Sequence, residues 1–163
     1  MINLLSFLIP KELSPSETRV SGTPETIKKF LSLGCNVYVE EGAGLSAGFL
    51  DASYSDVGAE LVPQGSGLIW NKADVVLCVQ VPKLISKLKS GALLVGLLAP
   101  YGNVSLCGSL RSLNLSALSL ELLPRISRAQ SSDALSSQAN IAGYKSVLIA
   151  ASALDRCFPM LMT

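Results

Sequence analysis

Short, continuous apolar runs recur along the chain, separated by polar segments that contain Gly and Pro. The clearest are "DVVLCVQV" at 74–81 and "ALLVGLLA" at 92–99. Strands that are buried on both faces of a parallel sheet have this pattern, because neither face meets water. On this basis we predict strands at 2–9, 36–40, 59–62, 74–81, 92–99 and 115–123.

Segments with helical spacing lie between these runs. Thr23 is suited to cap a helix, with Pro24 at the first position and Gly34 just past the end. The alternation of strand and helix, with connections too long for hairpins, is typical of right-handed crossovers in a parallel sheet. We therefore predict an α/β fold, a Rossmann-like (flavodoxin-like) parallel sheet with helices on both faces, the helices lying at 24–33, 46–58, 103–112 and 133–156.

The last of these helices is apolar on two sides. Leu135 and Ala139 fall near one face, whereas Tyr144 and Leu148 line another. A helix with this pattern is packed on two sides. We therefore expect more of the protein to follow Thr163.

Composition and charge narrow the class of protein. Hydrophobic residues make up 49% of the 163 residues, but the best candidate runs, 2–9 and 92–99, are far shorter than the ~20 residues that cross a bilayer, so we predict no membrane span. A net charge of +1 without a basic stripe argues against nucleic acid as a partner. The absence of histidine excludes His-based acid–base catalysis, and four cysteines without a CxxC pair argue against a metal site.

Two isolated features could suggest ligand binding. The stretch "EGAGLSAG" follows a predicted strand, but Gly42, Gly44 and Gly48 do not have GxGxxG spacing, and no GK[ST] follows. A tight turn between strand and helix explains it better than a phosphate site. Arg19 falls in the loop after the first strand, at the carboxyl edge where open α/β sheets bind ligands.

The segment 124–147, "PRISRAQSSDALSSQANIAGYKSV", is richer in polar groups than the apolar runs around it. It has two interpretations that the residues alone leave open. Asp133 could cap the last helix, with Ser136 at its third position, beside a solvated loop. Alternatively, the segment faces a polar ligand, and the groups concerned are Arg125, Arg128, Gln130, Asp133, Ser136, Ser137 and Asn140.

A family resemblance rests on this segment together with others in the same order along nearly the whole chain. They are "ETRVSGTPETIKKFLSLG", "VEEGAGLSAGF", "ADVVLCVQVP", "GALLVGLLAPYGN", "LSLELLPR" and "FPMLMT". The chain resembles the N-terminal region of the proton-translocating NAD(P) transhydrogenase alpha subunit, in the family that also contains the alanine dehydrogenases. The resemblance implies two Rossmann-like domains with a cleft between them. Residues 1–132 would be the first domain, and 133–163 a connecting helix toward a nucleotide-binding domain absent from this chain.

The resemblance also implies site residues. Arg125, Gln130, Asp133 and Ser136 would approach the nicotinamide of NAD(H), and Arg125 could form a charge pair with Asp133 that fixes the loop. We expect no catalytic residue and no metal, because hydride transfer needs orientation of the cofactor rather than a protein acid or base at the reacting carbon.

Cofactors and partners follow from the same resemblance. We expect an enzyme that transfers hydride between NAD(H) and NADP(H), with NADP(H) on a separate component, and a fragment that is inactive alone. The expected partners are a second copy in a homodimer and the membrane-embedded and NADP-binding components. The expected location is the cytoplasmic face of the bacterial inner membrane, or the mitochondrial matrix equivalent, peripheral through partner subunits.

Two alternatives differ in class. In alanine dehydrogenases the substrate is held by an Arg, a Lys and a catalytic His; Arg19 matches the Arg, but Gln80 replaces the Lys and Leu98 lies near the His position. An alanine-dehydrogenase-like oxidoreductase is therefore disfavoured. The other alternative is a truncated, non-catalytic scaffold or dimerisation domain.

Overall fold

The structure is a computed structural model that describes residues 4–155. Parts of the predicted strand 2–9 and helix 133–156, together with Cys157 and "FPMLMT", lie outside the described residues. The chain forms two compact units, one ending at Ser119 and the other beginning at Leu120.

The larger unit is built on a six-stranded sheet in which every neighbouring pair is parallel. The strand order is β3-β2-β1-β4-β5-β6. The strands are β1 Ser6–Ile9, β2 Asn36–Glu40, β3 Glu60–Val62, β4 Val75–Leu77, β5 Leu93–Gly96 and β6 Ser116–Ser119. All six predicted strands exist; β2 has its predicted bounds, and the others are shorter than their apolar runs.

The strand order identifies the kind of doubly wound sheet. β4 lies beside β1, with Phe7 opposite Val75, whereas in the flavodoxin-like order β3 would take that place. The Rossmann-like prediction is confirmed, and its flavodoxin-like detail is corrected. The order of the strands reverses between β1 and β4, which is the position where such sheets bind ligands at their carboxyl edge.

Four helices accompany the sheet in the larger unit: α1 Pro24–Ser32, α2 Asp51–Asp56, α3 Gly67–Lys72 and α4 Val104–Ser112. The cap predicted for α1 is present, because Thr23 Oγ1 accepts a hydrogen bond from Thr26 N at 3.3 Å. The predicted helix 46–58 is divided into a 3₁₀ turn, Leu45–Ala47, and α2. Between them Gly48 adopts a φ of +86°, which interrupts a right-handed helix.

Alternating side chains of the strands point to two separate apolar clusters. In β1, Leu8 packs with Trp70 of α3 and Leu106 of α4, whereas Ile9 packs with Ile27 of α1 and Tyr54 of α2. Because successive residues of a strand face opposite sides, the two clusters lie on the two faces of the sheet. Helices on both faces, as predicted, are confirmed.

The smaller unit contains two 3₁₀ turns, Leu120–Leu122 and Ser127–Ser132, followed by α5, Ala134–Ala153. The run predicted as a strand over 115–123 therefore ends as a strand at Ser119. No residue of α5 is buried within the described structure. The two apolar sides of this helix that the sequence pattern indicates are therefore both exposed in the described structure.

Candidate functional site

The start of α5 is fixed by Asp133. Its Oδ1 accepts a hydrogen bond from Ser136 N at 2.9 Å, and its Oδ2 accepts one from Ser136 Oγ at 2.6 Å. Ser137 Oγ donates to the Asp133 carbonyl oxygen at 3.0 Å. Asp133 is therefore the N-cap with Ser136 at the third helical position, as the capping interpretation predicted.

The turn before α5 brings the predicted site residues together. Arg125, Gln130, Asp133 and Ser136 all line one shallow concavity of about 320 Å³, with Ile126, Ser127 and Ala129. Arg128 belongs to the same turn but does not line the concavity.

Asp133 is held as a carboxylate. The hydrogen bond from the Ser136 hydroxyl lowers the pKa of Asp133, and the Ser136 backbone N–H and the Arg125 charge act in the same direction. Among residues 4–155, Arg125 and Asp133 form no direct ion pair. The charge pair expected from the resemblance is therefore not a direct contact; the Arg125 charge acts on Asp133 over a longer distance.

Capping accounts for Asp133 and Ser136 but not for the other two residues. In the described part of the chain, the Gln130 amide has no hydrogen-bond partner, although its backbone carbonyl accepts from Asp133 N at 3.3 Å. A primary amide offers two donors and an acceptor. The concavity thus presents an uncommitted amide and a guanidinium beside a fixed carboxylate, which suits a planar, neutral polar group.

The glycine-rich turn after β2 is a packing device. Gly42 N donates to both oxygens of Asp51, at 2.9 and 3.1 Å. A Cβ on Gly44 would lie 2.7 Å from the Tyr54 ring. The Gly42 donor faces its own chain, which agrees with the tight-turn interpretation.

Arg19 lies at the carboxyl edge of the sheet, as the sequence predicts, but it is engaged by its own chain. Its Nε and Nη2 donate to the two oxygens of Glu17, each at 2.7 Å. Gln80 Nε2 adds a further hydrogen bond to Glu17 at 2.9 Å. The Arg19 hydrogen bond lowers the pKa of Glu17 to about 2. A substrate carboxylate at Arg19 would have to compete with Glu17.

Position 98 offers no chemistry. Leu98 is 2% exposed and packs in the apolar cluster with Trp70. Together with Gln80, which bonds to Glu17, it leaves the alanine-dehydrogenase-like interpretation without its Lys and His.

Sequence reasoning missed a group of carboxylates at the same edge. Glu40, 2% exposed, accepts hydrogen bonds from Lys11 N, Gly65 N and Trp70 Nε1 at 2.8–3.0 Å. Glu12 accepts from the backbone N–H groups of two residues that follow β4. Their partners on other strands and loops are 25 to 68 positions away along the chain, so no local pattern could have indicated them.

Within residues 4–155, none of the helices combines the length and apolarity needed to cross a bilayer. The same residues contain no cluster of three or more acidic, Cys or His side chains that could hold a metal ion.

Comparison with known proteins agrees with this architecture. The family model for the N-terminal domain of alanine dehydrogenase/PNT matches residues 8–142. The chain is 40% identical to an NAD(P) transhydrogenase subunit alpha polypeptide of Rhodospirillum rubrum, over 98% of this chain and 43% of that protein. It superposes on the crystal structure of transhydrogenase from Sinorhizobium meliloti with a TM-score of 0.89 and 43% identity, over 97% of this chain and 47% of that one.

Similarity to alanine dehydrogenase is more distant. The Bacillus subtilis enzyme is 28% identical over 91% of this chain and 38% of its own length. The chain spans less than half the length of each of these relatives. The resemblance to the transhydrogenase alpha subunit is confirmed, and the chain belongs to the alanine dehydrogenase/PNT N-terminal domain family.

Proposed function

We propose that this chain forms the nicotinamide side of the NAD(H) site in an NAD(P) transhydrogenase. In the complete enzyme, hydride would pass between NAD(H) and NADP(H), coupled to proton translocation. The observation that carries this proposal is the convergence of Arg125, Gln130, Asp133 and Ser136 on one concavity. The 40% identity to a transhydrogenase alpha subunit supports it.

The residues of the concavity fit a nicotinamide carboxamide. Gln130 can donate to its oxygen and accept from its amino group at once. Ser136 holds Asp133 rigid, and the Arg125 charge favours its ionised state. These residues would orient the ring, while the bound nicotinamide supplies the hydride chemistry.

The rest of the nucleotide would be held by another part of the protein. The glycine-rich turn of the larger unit directs Gly42 N at Asp51, so it is a poor cradle for a pyrophosphate. We propose that residues 1–132 are the first domain, and that 133–163 lead to a nucleotide-binding domain. The exposed apolar side chains of α5, among them Ile141, Val147 and Ile149, would be covered by it.

The remaining expectations belong to the same proposal. NADP(H) would bind a separate component, and a second copy of the chain would complete a dimer. Membrane-embedded subunits would hold the assembly at the cytoplasmic face of the bacterial inner membrane, or in the mitochondrial equivalent.

Substitution in the assembled transhydrogenase tests the site. We expect Gln130→Ala and Arg125→Ala each to lower the rate of hydride transfer about tenfold or more, because orientation of the ring is lost. Arg128→Ala is the matched control, since Arg128 lies in the same turn outside the concavity. Asp133→Asn keeps a good N-cap while removing the charge, and so separates capping from binding.

Unchanged hydride transfer in these variants would contradict the proposed site. If Gln130→Ala and Arg125→Ala transfer hydride at the wild-type rate, the chain is a non-catalytic scaffold.

A further inference from the structure

The loop between β1 and α1, residues 10–23, crosses the carboxyl edge of the sheet in the larger unit; we call it the strap. Glu12 fastens it. Glu12 Oε1 accepts a hydrogen bond from Val79 N at 2.6 Å, and Oε2 accepts one from Gln80 N at 3.2 Å. Two successive backbone N–H groups directed at one carboxylate form an anion-binding position.

Burial of the Glu12 carboxylate in this position removes part of its hydration. Burial raises the pKa of Glu12, although the two N–H groups act in the opposite direction. The charged form is therefore less well stabilised here than in water. The two N–H groups thus offset part of the cost of burying the charged side chain.

The surroundings of this position are those of a ligand site. It lies after β4, where the strand order reverses, and it adjoins a cavity of about 510 Å³ lined by Glu12, Gln80, Trp70 and Lys83. Glu40, also in the lining, is already bonded to three N–H donors. In the described residues the Lys83 ammonium has no ion-pair partner. Within that part of the chain, the cavity wall therefore carries an unpaired positive charge at Lys83.

We propose that the N–H groups of Val79 and Gln80 form an oxyanion site in which Glu12 acts as an internal ligand. The strap closes the crevice between β1 and β4 to small carboxylates. A free carboxylate reaches the two N–H groups from the cavity only when Glu12 is displaced. This site is in the larger unit and does not depend on the proposed nicotinamide site.

Chemical rescue in the full 163-residue chain tests the proposal. In Glu12→Ala, amide hydrogen exchange at Val79 and Gln80, measured by NMR, should accelerate about tenfold or more, because two hydrogen bonds to a carboxylate are lost. Titration with sodium formate should slow it again and shift both amide signals in a saturable way. Sodium chloride at the same ionic strength should do neither.

Glu25→Ala is the matched control. It removes the same charge from an exposed residue that pairs with Lys29 at the start of α1, and it should leave both amides unchanged. The proposal is overturned if exchange in Glu12→Ala equals that of the wild type, or if formate and chloride act alike.

A second variant covers the case in which Glu12→Ala does not fold. Glu12→Gln keeps the side-chain volume and one acceptor, so one of the two amides should lose protection while formate has no effect. Wild-type protection of both amides in this variant would contradict the proposal.

Discussion

Glu17 and Arg19 illustrate how single residues stabilise the loop over the sheet edge. The guanidinium meets the carboxylate through two nitrogens at 2.7 Å. The Glu17 side chain is only 5% exposed, whereas that of Arg19 is 41% exposed. The pair is consequently stronger than most surface ion pairs but partly screened by water.

This pair gives the stability of the chain a defined pH dependence. Because Glu17 has a pKa of about 2 in the folded chain, below its unfolded value, its stabilisation is complete above roughly pH 5 and is lost as the pH falls toward 2. Glu17→Gln should remove this dependence, which amounts to about 1–2 kcal/mol in the free energy of unfolding after allowance for screening by water. Urea unfolding of both chains at pH 7 and pH 3 measures it; parallel pH dependences would contradict the assignment.

Hydrogen bonds between residues close in sequence could be predicted, whereas those between distant residues could not. Asp133 and Ser136 are three positions apart, so the cap could be predicted from local spacing alone. Glu12 bonds to Val79, which is 67 positions away. Only the folded sheet brings them together.

Among the elements, β4 and β5 approach each other closely near Gly96. The Cys78 Sγ donates to the Val95 carbonyl at 3.4 Å. Burial raises the pKa of this thiol to about 12, so it behaves as a small apolar group. A Cβ on Gly96 would lie 2.6 Å from the Cys78 carbonyl oxygen. Only glycine fits there.

Alanine substitution at two glycines tests this packing. Gly96→Ala should lower the free energy of unfolding by about 2–3 kcal/mol, since a backbone carbonyl cannot move aside cheaply. Gly108→Ala, in α4 with no atom near its added Cβ, should raise it by about 0.5–1 kcal/mol. Urea unfolding of both variants decides; a Gly96→Ala chain as stable as the wild type would refute the close contact.

One helix of the larger unit could not be predicted from the sequence pattern. The sequence pattern does not predict α3, Gly67–Lys72, because six residues beginning with Gly give no helical period. This helix is nevertheless essential to the core, since Trp70 is 2% exposed and bonds to Glu40 at 2.9 Å.

At the scale of the whole molecule, this chain spans less than half the length of the transhydrogenase proteins that it matches. The parallel sheet and its covering by helices on both faces could be inferred from the sequence, because each depends on a pattern repeated along the chain. The family could be inferred because segments along nearly the whole chain resemble it. The strand order could not, because the apolar runs of β3 and β4 do not show which of them lies beside β1. The open faces of α5 could be inferred only as an expectation of further packing.

Nucleotide affinity tests the proposed division of the NAD(H) site between this chain and a further domain. The isolated 163-residue chain should bind NAD(H) more weakly than about 1 μM, because its glycine-rich turn is a poor cradle for the pyrophosphate. Isothermal titration calorimetry measures this, with a longer transhydrogenase alpha protein as the comparison. Sub-micromolar binding by the short chain would refute the proposed division.

The central position of β1 has a consequence for synthesis on the ribosome. β1 pairs with β2 on one side and with β4 on the other, so during synthesis β1 acquires its second neighbour only after residue 77 has emerged. Until then, the nascent segment from β1 to β3 exposes the unpaired edge of β1 and the apolar side chain of Leu8. A translational pause before β4 would therefore leave the nascent chain most prone to aggregation.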